Sequence, residues 1–353
     1  MRGRRQVKSM QSEDRKKNRV TLLDVAGRAN VSRATASLVI RKSPLVSTDT
    51  RARVEEAMRE LGYVYNVGAA RLRAERSYTV GVIVPNLTNP FFAELLSGIE
   101  AVIDAADMVV LLANSGDQPE RQDRLMRRMR EHGVDGVILC PAADTEPALL
   151  DQLSDWQLSV VQVLRHISPD VDYAGADYAG GMRQAVDYLA SLGHRRIAFA
   201  VHGPVHSAYE ERIEAFHAAM DARKLSANLI VRLPDAMAFI PSAAPLLFEA
   251  EQKPTAVICF NDVLALGLSA GLYDMGVRIG EGFSLLGFDD VTDAETMRPR
   301  LSSVSTAPVT IGENAARLLL DRLAEPSRPA RRLVTETHLH VRQSCGPAGE
   351  TTA

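Results

Sequence analysis

The stretch VTLLDVAGRANVSRATASLVIR, residues 20–41, carries two short hydrophobic periodicities that predict two helices separated by a turn. The first periodicity has apolar residues at i, i+3, i+4 and i+7, at Leu22, Val25, Ala26 and Ala29. Thr21, with Asp24 three residues later, predicts a capped helix start, and Asn30 suits the left-handed conformation that ends a helix. Ser32 is a suitable N-cap for the second helix. This arrangement is helix-turn-helix geometry.

A third helix is predicted from Ser47 to Leu61, with Gly62 as the residue that ends it. Its inward face is expected to consist of Val54, Ala57, Met58 and Leu61. Three short helices around one core predict a compact all-α head over residues 20–65. A helical hairpin with no nucleic-acid role has the same hydrophobic pattern, so charge must distinguish the two interpretations.

Charge is divided unevenly along the chain. Residues 1–76 contain 18 Lys and Arg against 8 Asp and Glu, a net charge of +10, whereas residues 77–353 contain 23 against 36, a net charge of −13. Such a division is expected when one end of a protein meets phosphate and the other does not. Residues 1–19 lack apolar periodicity and are expected to form a disordered basic arm, which either adds nonspecific DNA affinity or is a solvated tail.

Length and composition favour more than one domain, because 353 residues, 46% of them apolar, exceed what one small head requires. Cys140, Cys259 and Cys345 show no metal-ligand or redox spacing and are expected to be reduced thiols. No apolar run approaches the roughly 20 residues that span a bilayer, and the N-terminus lacks the apolar core of a signal peptide. We therefore expect a cytoplasmic protein.

From Tyr78 onward, apolar strand-like runs alternate with helical stretches. The predicted strands are, in chain order, TVGVIV, MVVLLA, DGVILC, SVVQVL, RIAFAV, NLIVRL, TAVICF and FSLLGF. The predicted helices cover residues 90–106, 118–132, 144–154, 178–192, 208–224, 241–251 and 262–275. Continuous apolar strands joined by helices indicate an α/β fold with parallel sheets, and the strands are numerous enough for two similar lobes. Ligands of such folds bind at the carboxyl ends of the strands.

Six segments of the chain resemble motifs of a known protein family. They are VTLLDVAGRANVSRATAS at 20–37, VSTDTRARVEEAMRELGYVYN at 46–66, NPFF at 89–92, LGHRRIAF at 192–199, FNDVLALG at 260–267 and SLLGFDDV at 284–291. In this order they closely resemble the lactose and purine repressor (LacI/GalR) family of bacterial transcription regulators, over about residues 20–344. The resemblance implies a body similar to periplasmic sugar-binding proteins, in which the chain crosses between two lobes near residues 175, 304 and 331.

The resemblance also implies the order of domains. After the arm, we expect a helix-turn-helix DNA-binding domain at 20–65, a hinge helix and linker at 66–76, an effector-binding and dimerisation domain at 77–346 and a tail at 347–353. Within the body, the N-lobe is expected at about 77–175 and 305–331, and the C-lobe at about 176–304 and 332–346.

By this resemblance, the second helix of the head reads DNA. Base edges would meet Arg33, Ala34 and Leu38, and phosphates would meet Ser32, Thr35, Ser37 and Arg41. Arginine can donate two hydrogen bonds to guanine, and alanine can contact a thymine methyl group. Leu38 departs from the arginine that many relatives carry, so the usual guanine contact is not expected there. A partly buried helix residue is the alternative for Leu38.

The segment from Asn66 to Leu72 matches the family's hinge helix, which folds against its dimer partner over the minor groove. Leu72 matches the apolar wedge that unstacks base pairs, and the small Ala69 and Ala70 would permit close approach. Gly68 within a helix costs about 1 kcal/mol relative to alanine, so we expect the hinge to be disordered in the absence of DNA. A plain flexible linker is the alternative.

The predicted ligand site of the body combines aromatic, amide, carboxylate and guanidinium groups. By the resemblance its contacts are Phe91, Phe92, Arg212, Asn261 and Asp289, and further candidates are Arg165, His206 and Asp235. Aromatic faces stack on sugar or purine rings, and polar groups fix hydroxyls or ring nitrogens. Arg212 is also expected to pair with Asp289 across the empty cleft. For the three further candidates a surface position is the alternative. The effector stays open among sugar, sugar acid and nucleobase.

We expect no catalytic residues, cofactor or metal, because phosphate-loop and zinc-ligand spacings are missing and His194, which follows a helix, suits a capping role. The sequence predicts a nucleoid-associated transcription regulator, by resemblance a repressor, that binds a pseudopalindromic double-stranded DNA operator as a homodimer under the control of a small-molecule effector. The alternative is a solute-binding protein or sugar-processing α/β enzyme with an incidental helical head.

Overall fold

The computed structural model of the protein describes residues 20–40, 43–63, 76–226, 229–249 and 253–349. Its contacts divide the chain into two compact units, the first ending at Glu75 and the second beginning at Arg76. We call the described part of the first unit the head and that of the second unit the body.

The head contains three helices, α1 at Leu22–Arg28, α2 at Arg33–Ile40 and α3 at Thr48–Leu61. Thr21 and Asp24 form a capping box at the start of α1, and Ser32 Oγ accepts the backbone N–H of Thr35 at 3.0 Å at the start of α2. Gly62 ends α3 in the left-handed conformation, with φ 61°. The core of the head is formed by Val25, Ala26, Ala29, Ala36, Val39, Val54 and Ala57. The predicted helix-turn-helix head is confirmed.

The first lobe of the body, the N-lobe, is a parallel six-stranded sheet. Its strands are β1 at Thr79–Val84, β2 at Val109–Asn114, β3 at Gly136–Leu139, β4 at Ser159–Val163, β5 at Tyr173–Ala176 and β11 at Arg332–Thr335. They lie in the order β11-β5-β4-β3-β1-β2. Its helices are α4 at Pro90–Ala105, α5 at Pro119–Glu131, α6 at Ala148–Asp155 and α12 at Pro308–Ala324.

The second lobe, the C-lobe, repeats this plan. Its strands are β6 at Ile197–Val201, β7 at Ile230–Arg232, β8 at Ala256–Cys259, β9 at Ser284–Asp289, β10 at Ser302–Ser305 and β12 at His338–His340. They lie in the order β12-β10-β9-β8-β6-β7, and β12 runs antiparallel to β10 while the other pairs are parallel. Its α-helices are α7 at Tyr178–Ser191, α8 at Ser207–Ala222, α9 at Ile240–Ala243, α10 at Asp262–Asp274 and α11 at Asp293–Thr296.

Helices cover both faces of the sheets because the inner strands are apolar on both sides. Every residue of β3, β6 and β8 is buried. In the N-lobe, α4 and α12 pack so closely that a Cβ atom at Gly98 would lie 2.0 Å from the carbonyl oxygen of Val309. The α/β prediction with two lobes and parallel sheets is confirmed.

Two of the predicted helices differ from those in the structure. The segment predicted as one helix at 241–251 is interrupted, with α9 flanked by 3₁₀ turns at Met237–Phe239 and Ala244–Phe248. Pro241 and Pro245 explain the interruption, because proline within a helix removes a hydrogen bond and clashes with the preceding turn. The helix predicted at 144–154 begins later, at Ala148.

The third crossing between the lobes also differs from the sequence expectation. The first two crossings follow β5, which ends at Ala176, and β10, which ends at Ser305. The C-lobe was expected to resume at residue 332, but Arg332 to Thr335 pair with β5 in the N-lobe sheet. The chain therefore returns to the C-lobe only after Thr335, because a parallel edge position beside β5 satisfies the backbone of β11 first.

Candidate functional site

The residues predicted to read DNA lie on α2 and at its start. Their exposure divides them into two sets, with Ser32, Arg33 and Ala34 exposed and Thr35, Ser37 and Leu38 half-buried. The hydroxyls of Ser32 and Thr35 lie 2.8 Å apart, so both help to hold the start of the helix. Outside the described residues lie Arg41 and the predicted hinge positions Asn66, Gly68, Ala69, Ala70 and Leu72.

The body contains a cavity of about 500 Å³ at the carboxyl ends of strands from both lobes. All eight residues predicted as ligand contacts line it: Phe91, Phe92, Arg165, His206, Arg212, Asp235, Asn261 and Asp289. It is also lined by residues that the sequence analysis did not single out, among them Asn86, Asn89, Asn114, Asp117, Tyr178, His202 and Phe260. The volume falls within the range of about 300 to 1,000 Å³ typical of small-molecule sites.

Arg212 and Asp289 form the buried centre of the C-lobe wall. Arg212 is on α8 and Asp289 ends β9, so their ion pair lies within one lobe rather than across the cleft as expected. The Nη2 atom of Arg212 is 3.5 Å from Oδ1 of Asp289, and Nη1 donates to the carbonyl oxygen of Phe260. The guanidinium carbon lies 4.4, 4.5 and 4.6 Å from the ring centroids of Tyr178, Phe260 and Phe288. Three aromatic faces therefore hold the cation in place.

This surrounding changes the acid–base behaviour of Asp289. Burial raises the pKa of Asp289 to about 7, and the nearby Arg212 cation only partly offsets that effect. The backbone of Asp289 has φ 111°, an uncommon value for a residue with a side chain. Strained backbone of this kind clusters at binding sites. The carboxyl group can therefore change its protonation near neutral pH.

The N-lobe wall carries a second arginine–aspartate pair. Nη1 of Arg165 is 2.6 Å from Oδ1 of Asp117, and Nη2 is 3.3 Å from Oδ2. Arg165 also donates to the carbonyl oxygen of Pro141 at 3.1 Å, while Asp117 accepts the backbone N–H of Ala143 at 2.9 Å. This bidentate pair satisfies both charges within the lobe.

Two histidines from the loop after β6 line the cavity as neutral rings. His206 caps α8, with Nδ1 accepting the backbone N–H of Tyr209 at 3.1 Å. Burial, aided by the Arg165 and Arg212 cations, lowers the pKa of His206 to about 2. Burial also lowers the pKa of His202, whose Nε2 is 3.4 Å from Nδ2 of Asn261.

The remaining predicted contacts differ in how firmly they are held. Asn261 caps α10, with Oδ1 accepting the N–H of Leu264 at 2.8 Å. Asp235 accepts the N–H of Gly203 at 2.9 Å, although its side chain is 64% exposed. Phe91 and Phe92 follow Asn89 at the start of α4 and meet edge to face, with ring centroids 5.5 Å apart.

In the described part of the body, polar contacts at two places join the lobes beside the cavity. Nε2 of His166, in the N-lobe loop after β4, lies 2.7 Å from Oε1 of Glu211 on α8, and the backbone N–H of His166 donates to Ser207 Oγ at 2.9 Å. On another side, Thr292 Oγ1 of the C-lobe donates to Glu94 of α4 at 3.4 Å. Movement of one lobe relative to the other therefore breaks or forms these contacts.

His194 has a different role from the helix cap expected from sequence. Its ring is buried, with Nδ1 2.9 Å from Thr255 Oγ1 and Nε2 2.8 Å from Ser284 Oγ. Nε2 also lies 3.0 Å from the carbonyl oxygen of Gly346. Burial lowers the pKa of His194, so a neutral ring joins separate segments of the C-lobe.

Within the described ranges, no group of three or more His, Cys, Asp or Glu side chains is placed to hold a metal ion. No helix in the described part of the chain combines the length and apolar character needed to cross a membrane.

A helix-turn-helix head followed in the chain by a two-lobed body with a ligand-sized cavity defines a class of protein, the ligand-controlled DNA-binding regulators. Residues 21–66 match the family described as bacterial regulatory proteins, lacI family. Residues 186–345 match the periplasmic binding protein-like domain.

Individual relatives agree with these matches. The transcriptional repressor PurR of Vibrio atlanticus (strain LGP32) is 32% identical over 326 residues, which cover 91% of this chain and 96% of that protein. The structure of the transcriptional regulator CelR–cellobiose complex is 31% identical, with a TM-score of 0.69, and covers 92% of this chain and 100% of that one. The lac repressor dimer bound to operator and the anti-inducer ONPF is 22% identical and shares the fold, with a TM-score of 0.81 over 93% of this chain and 99% of that one.

The chain belongs to the lacI family of bacterial regulatory proteins. It is a DNA-binding transcription regulator controlled by a small-molecule effector, as predicted from its sequence.

Proposed function

We propose that the protein is a cytoplasmic repressor that binds a pseudopalindromic operator as a homodimer, and that a small molecule in the cavity between the lobes lowers its operator affinity. One observation carries this proposal. Eight predicted ligand contacts, spread from Phe91 to Asp289 and drawn from both lobes, line a single cavity. A ligand that touches both lobes stabilises one relative position of them, which is how binding at one site changes another. The protein acts by binding and not by turnover.

In this proposal α2 enters the major groove. Arg33 donates to a guanine, Ala34 packs on a thymine methyl group, and Leu38 makes an apolar base contact. The phosphates are bound by Ser32, Thr35, Ser37 and Arg41. The exposed Arg33 and Ala34 support this orientation, and the start of α2 also favours it, because N–H groups that a helix cap leaves unbonded attract phosphate.

Dimerisation provides two heads for two half-sites. The edge strand β2 supports a self-association surface in the body, since its side chains Val109, Leu111 and Leu112 are 64%, 37% and 36% exposed. Apolar side chains on an edge strand favour contact with another chain. In the dimer, the hinge segments with Asn66, Ala69 and Ala70 would pair over the minor groove, and Leu72 would enter between base pairs.

Selection of duplexes from a random pool with the full-length protein tests the function. We expect enrichment of one pseudopalindromic site. Arg33→Ala should relax the preference at one base pair in each half-site, a loss of about 1 to 3 kcal/mol in discrimination. Enrichment of no sequence over random competitor would refute the proposal.

Leu72→Ala tests the hinge. We expect it to abolish specific binding while nonspecific binding, which falls steeply with salt, persists through the basic head. Leu87→Ala, at a 47% exposed position in the body, is the matched control. Fluorescence anisotropy with specific and random duplexes across a salt series separates the two kinds of binding. Equal loss of both would contradict a wedge role.

A further inference from the structure

The charges that line the cavity already have partners. Arg165 is paired with Asp117 and Arg212 with Asp289, and Asp235 lies 3.5 Å from Arg232 at the rim. Two cations and three carboxylates therefore face the cavity. A carboxylate or phosphate on a ligand would find no unpaired cation among the described lining residues. It would have to compete with a protein carboxylate for an arginine, which opposes the binding of anions.

Hydrogen-bond donors, in contrast, are left available. The side-chain Oδ1 atoms of Asn89 and Asn114 accept the backbone N–H groups of Phe91 and Gly116 at 3.0 and 2.9 Å. These bonds orient each amide so that Nδ2, a donor, is the group offered to a ligand. Asn86 is arranged in the same way, because its Oδ1 accepts from Thr88.

Two buried donors in the C-lobe wall have no partner among the described residues, namely Nε of Arg212 and Nδ1 of His202. The Arg212 side chain is only 7% exposed. Both atoms are closed to solvent, so a ligand acceptor reaches them only when these side chains turn toward the cavity, where it would satisfy donors that the free protein leaves unmet.

His206 adds a hydrogen-bond donor, and its tautomer is fixed. Because Nδ1 accepts the N–H of Tyr209, the neutral ring carries its hydrogen on Nε2. Acceptors for ligand hydroxyls come from Asp235 and Asp289, so donors and acceptors both surround the cavity.

We propose that the effector is an uncharged sugar, held by donors and carboxylates from both lobes. In this proposal the Arg165–Asp117 pair excludes acidic and phosphorylated sugars. The inference rests on the proposed function. Hydroxyl groups donate and accept at once and point outward all around a sugar ring, which matches polar groups on every side of the cavity. A purine has polar atoms only along its edge, so it would leave the groups above and below its faces without partners.

Isothermal titration of the full-length protein tests this inference. The panel contains neutral aldopentoses, aldohexoses and cellobiose, the matching aldonic acids and sugar phosphates, and hypoxanthine. We expect one neutral sugar to bind and its acid and phosphate to bind at least about tenfold more weakly, which corresponds to about 1.4 kcal/mol. Tightest binding by an acid, a phosphate or hypoxanthine overturns the inference, and so does binding by none of them.

Asp117→Asn tests whether the Arg165–Asp117 pair excludes anions, because the variant should gain affinity for acidic sugars. Asparagine still offers Oδ1 to the N–H of Ala143, but it leaves the Arg165 cation unpaired. The ratio of acid to neutral-sugar affinity should rise about tenfold or more. The control is Asp187→Asn, which removes the exposed Arg223–Asp187 pair and should leave the ratio unchanged. An unchanged ratio in Asp117→Asn would overturn the exclusion role.

Operator binding, measured on the same samples, separates the two proposals. If an acid or purine binds in the cavity and changes operator affinity, the inference fails and the proposed function stands. If a neutral sugar binds but operator affinity does not respond, the proposed function fails, while the inferred preference of the cavity for uncharged sugars stands.

Discussion

The two walls of the cavity use the same two residue types in different ways. On the N-lobe wall, Arg165 and Asp117 meet at 2.6 and 3.3 Å with further bonds to the backbone. On the C-lobe wall, Arg212 and Asp289 lie 3.5 Å apart, and Nε of Arg212 has no partner among the described residues. The first pair is complete without a ligand, and the second is incomplete. The C-lobe wall is therefore the anchor, meaning the wall that binds the ligand most strongly. The N-lobe wall is the filter, meaning the wall that excludes charged ligands.

The environment explains the difference. Three aromatic rings surround Arg212, and they stabilise its charge without replacing the hydrogen bonds that a carboxylate would provide. Asp289 is buried with a single 3.5 Å contact to this cation, and burial raises its pKa. Arg165 and Asp117 are 13% and 22% exposed, so water shares in their solvation. A ligand gains most where the protein has left bonds unmade.

The largest effect should follow removal of the C-lobe cation. Arg212→Ala leaves Asp289 buried without its partner, and we expect a loss of about 3 to 5 kcal/mol in the free energy of unfolding. Ligand affinity should fall more than about 30-fold, the lower end of what truncating a buried charged anchor costs. Chemical denaturation and calorimetric titration measure the two effects. Arg223→Ala, which breaks an exposed pair at the end of α8, is the control. Affinity within about tenfold of wild type would argue against the anchor.

Protonation of Asp289 should make ligand binding depend on pH. Its pKa is about 7 in the free protein, and hydroxyl donors from a ligand favour the ionised form. Affinity should therefore rise by up to about tenfold from pH 6 to pH 8, with release of a proton, since one pKa unit corresponds to a tenfold change. Titrations in buffers of different ionisation enthalpy detect that proton. Asp289→Asn should abolish the pH dependence, and a dependence that survives it would assign the effect elsewhere.

The same shift has a consequence for stability. The folded state retains the Asp289 proton up to about pH 7, whereas the unfolded chain loses it near 3.8. Folding therefore binds a proton in this window, and this group's contribution to stability falls as pH rises from about 4 to 7. Denaturation of Asp289→Asn and the wild type across this range should show the wild type losing stability relative to the variant. A difference that does not change with pH would contradict the assignment.

Breaking the N-lobe pair should matter less. Arg165→Gln removes a partly exposed charged bond, for which we expect a loss of about 1 to 3 kcal/mol in unfolding free energy. Neutral-sugar affinity should change by less than tenfold, because Arg165 is already hydrogen-bonded to Asp117 and Pro141. Denaturation and titration beside Arg212→Ala compare the walls directly. Equal losses in both variants would remove the distinction between anchor and filter.

The smallest effect should come from the contact between the lobes. Glu211→Gln keeps a hydrogen-bonding group opposite His166 but removes its charge, and both side chains are about a third exposed, at 28% and 35%. Pairs of this exposure contribute about 0 to 1 kcal/mol, so ligand affinity should change less than about threefold. Calorimetric titration at pH 6 and 8 measures the change, and a tenfold change would show that this contact helps to set the relative position of the lobes.

Features that depend on near neighbours could be predicted from sequence, and those that depend on distant partners could not. The caps of Thr21 on α1 and Ser32 on α2 and the end of α3 at Gly62 are set by bonds spanning a few residues. In contrast, β5 (YAGA), β10 (SSVS) and β12 (HLH) are short and partly polar. They are strands because long-range pairing satisfies their backbones. Helix α12 also lies in a stretch for which the sequence analysis gave no element.

The cavity shows the same division. Positions such as Phe91 and Asn261 are implied by the family resemblance, and the structure brings them together with the other predicted contacts. Asp117 was missed because its partner Arg165 is 48 residues away, and nothing local indicates the pair. The fold of the N-lobe brings Asp117 and Arg165 together, so the neutralised N-lobe wall could be identified only from the structure.

Ligand binding in the cavity and operator binding by the head are thermodynamically linked in this proposal, and one thermodynamic cycle tests the linkage. Operator dissociation constants are measured by anisotropy with and without saturating effector, and effector dissociation constants by calorimetry with and without operator. We predict that effector weakens operator binding about 5-fold to 150-fold, and that operator weakens effector binding by the same factor. An effector that occupies the cavity while leaving operator affinity unchanged would contradict the linkage between cavity and operator.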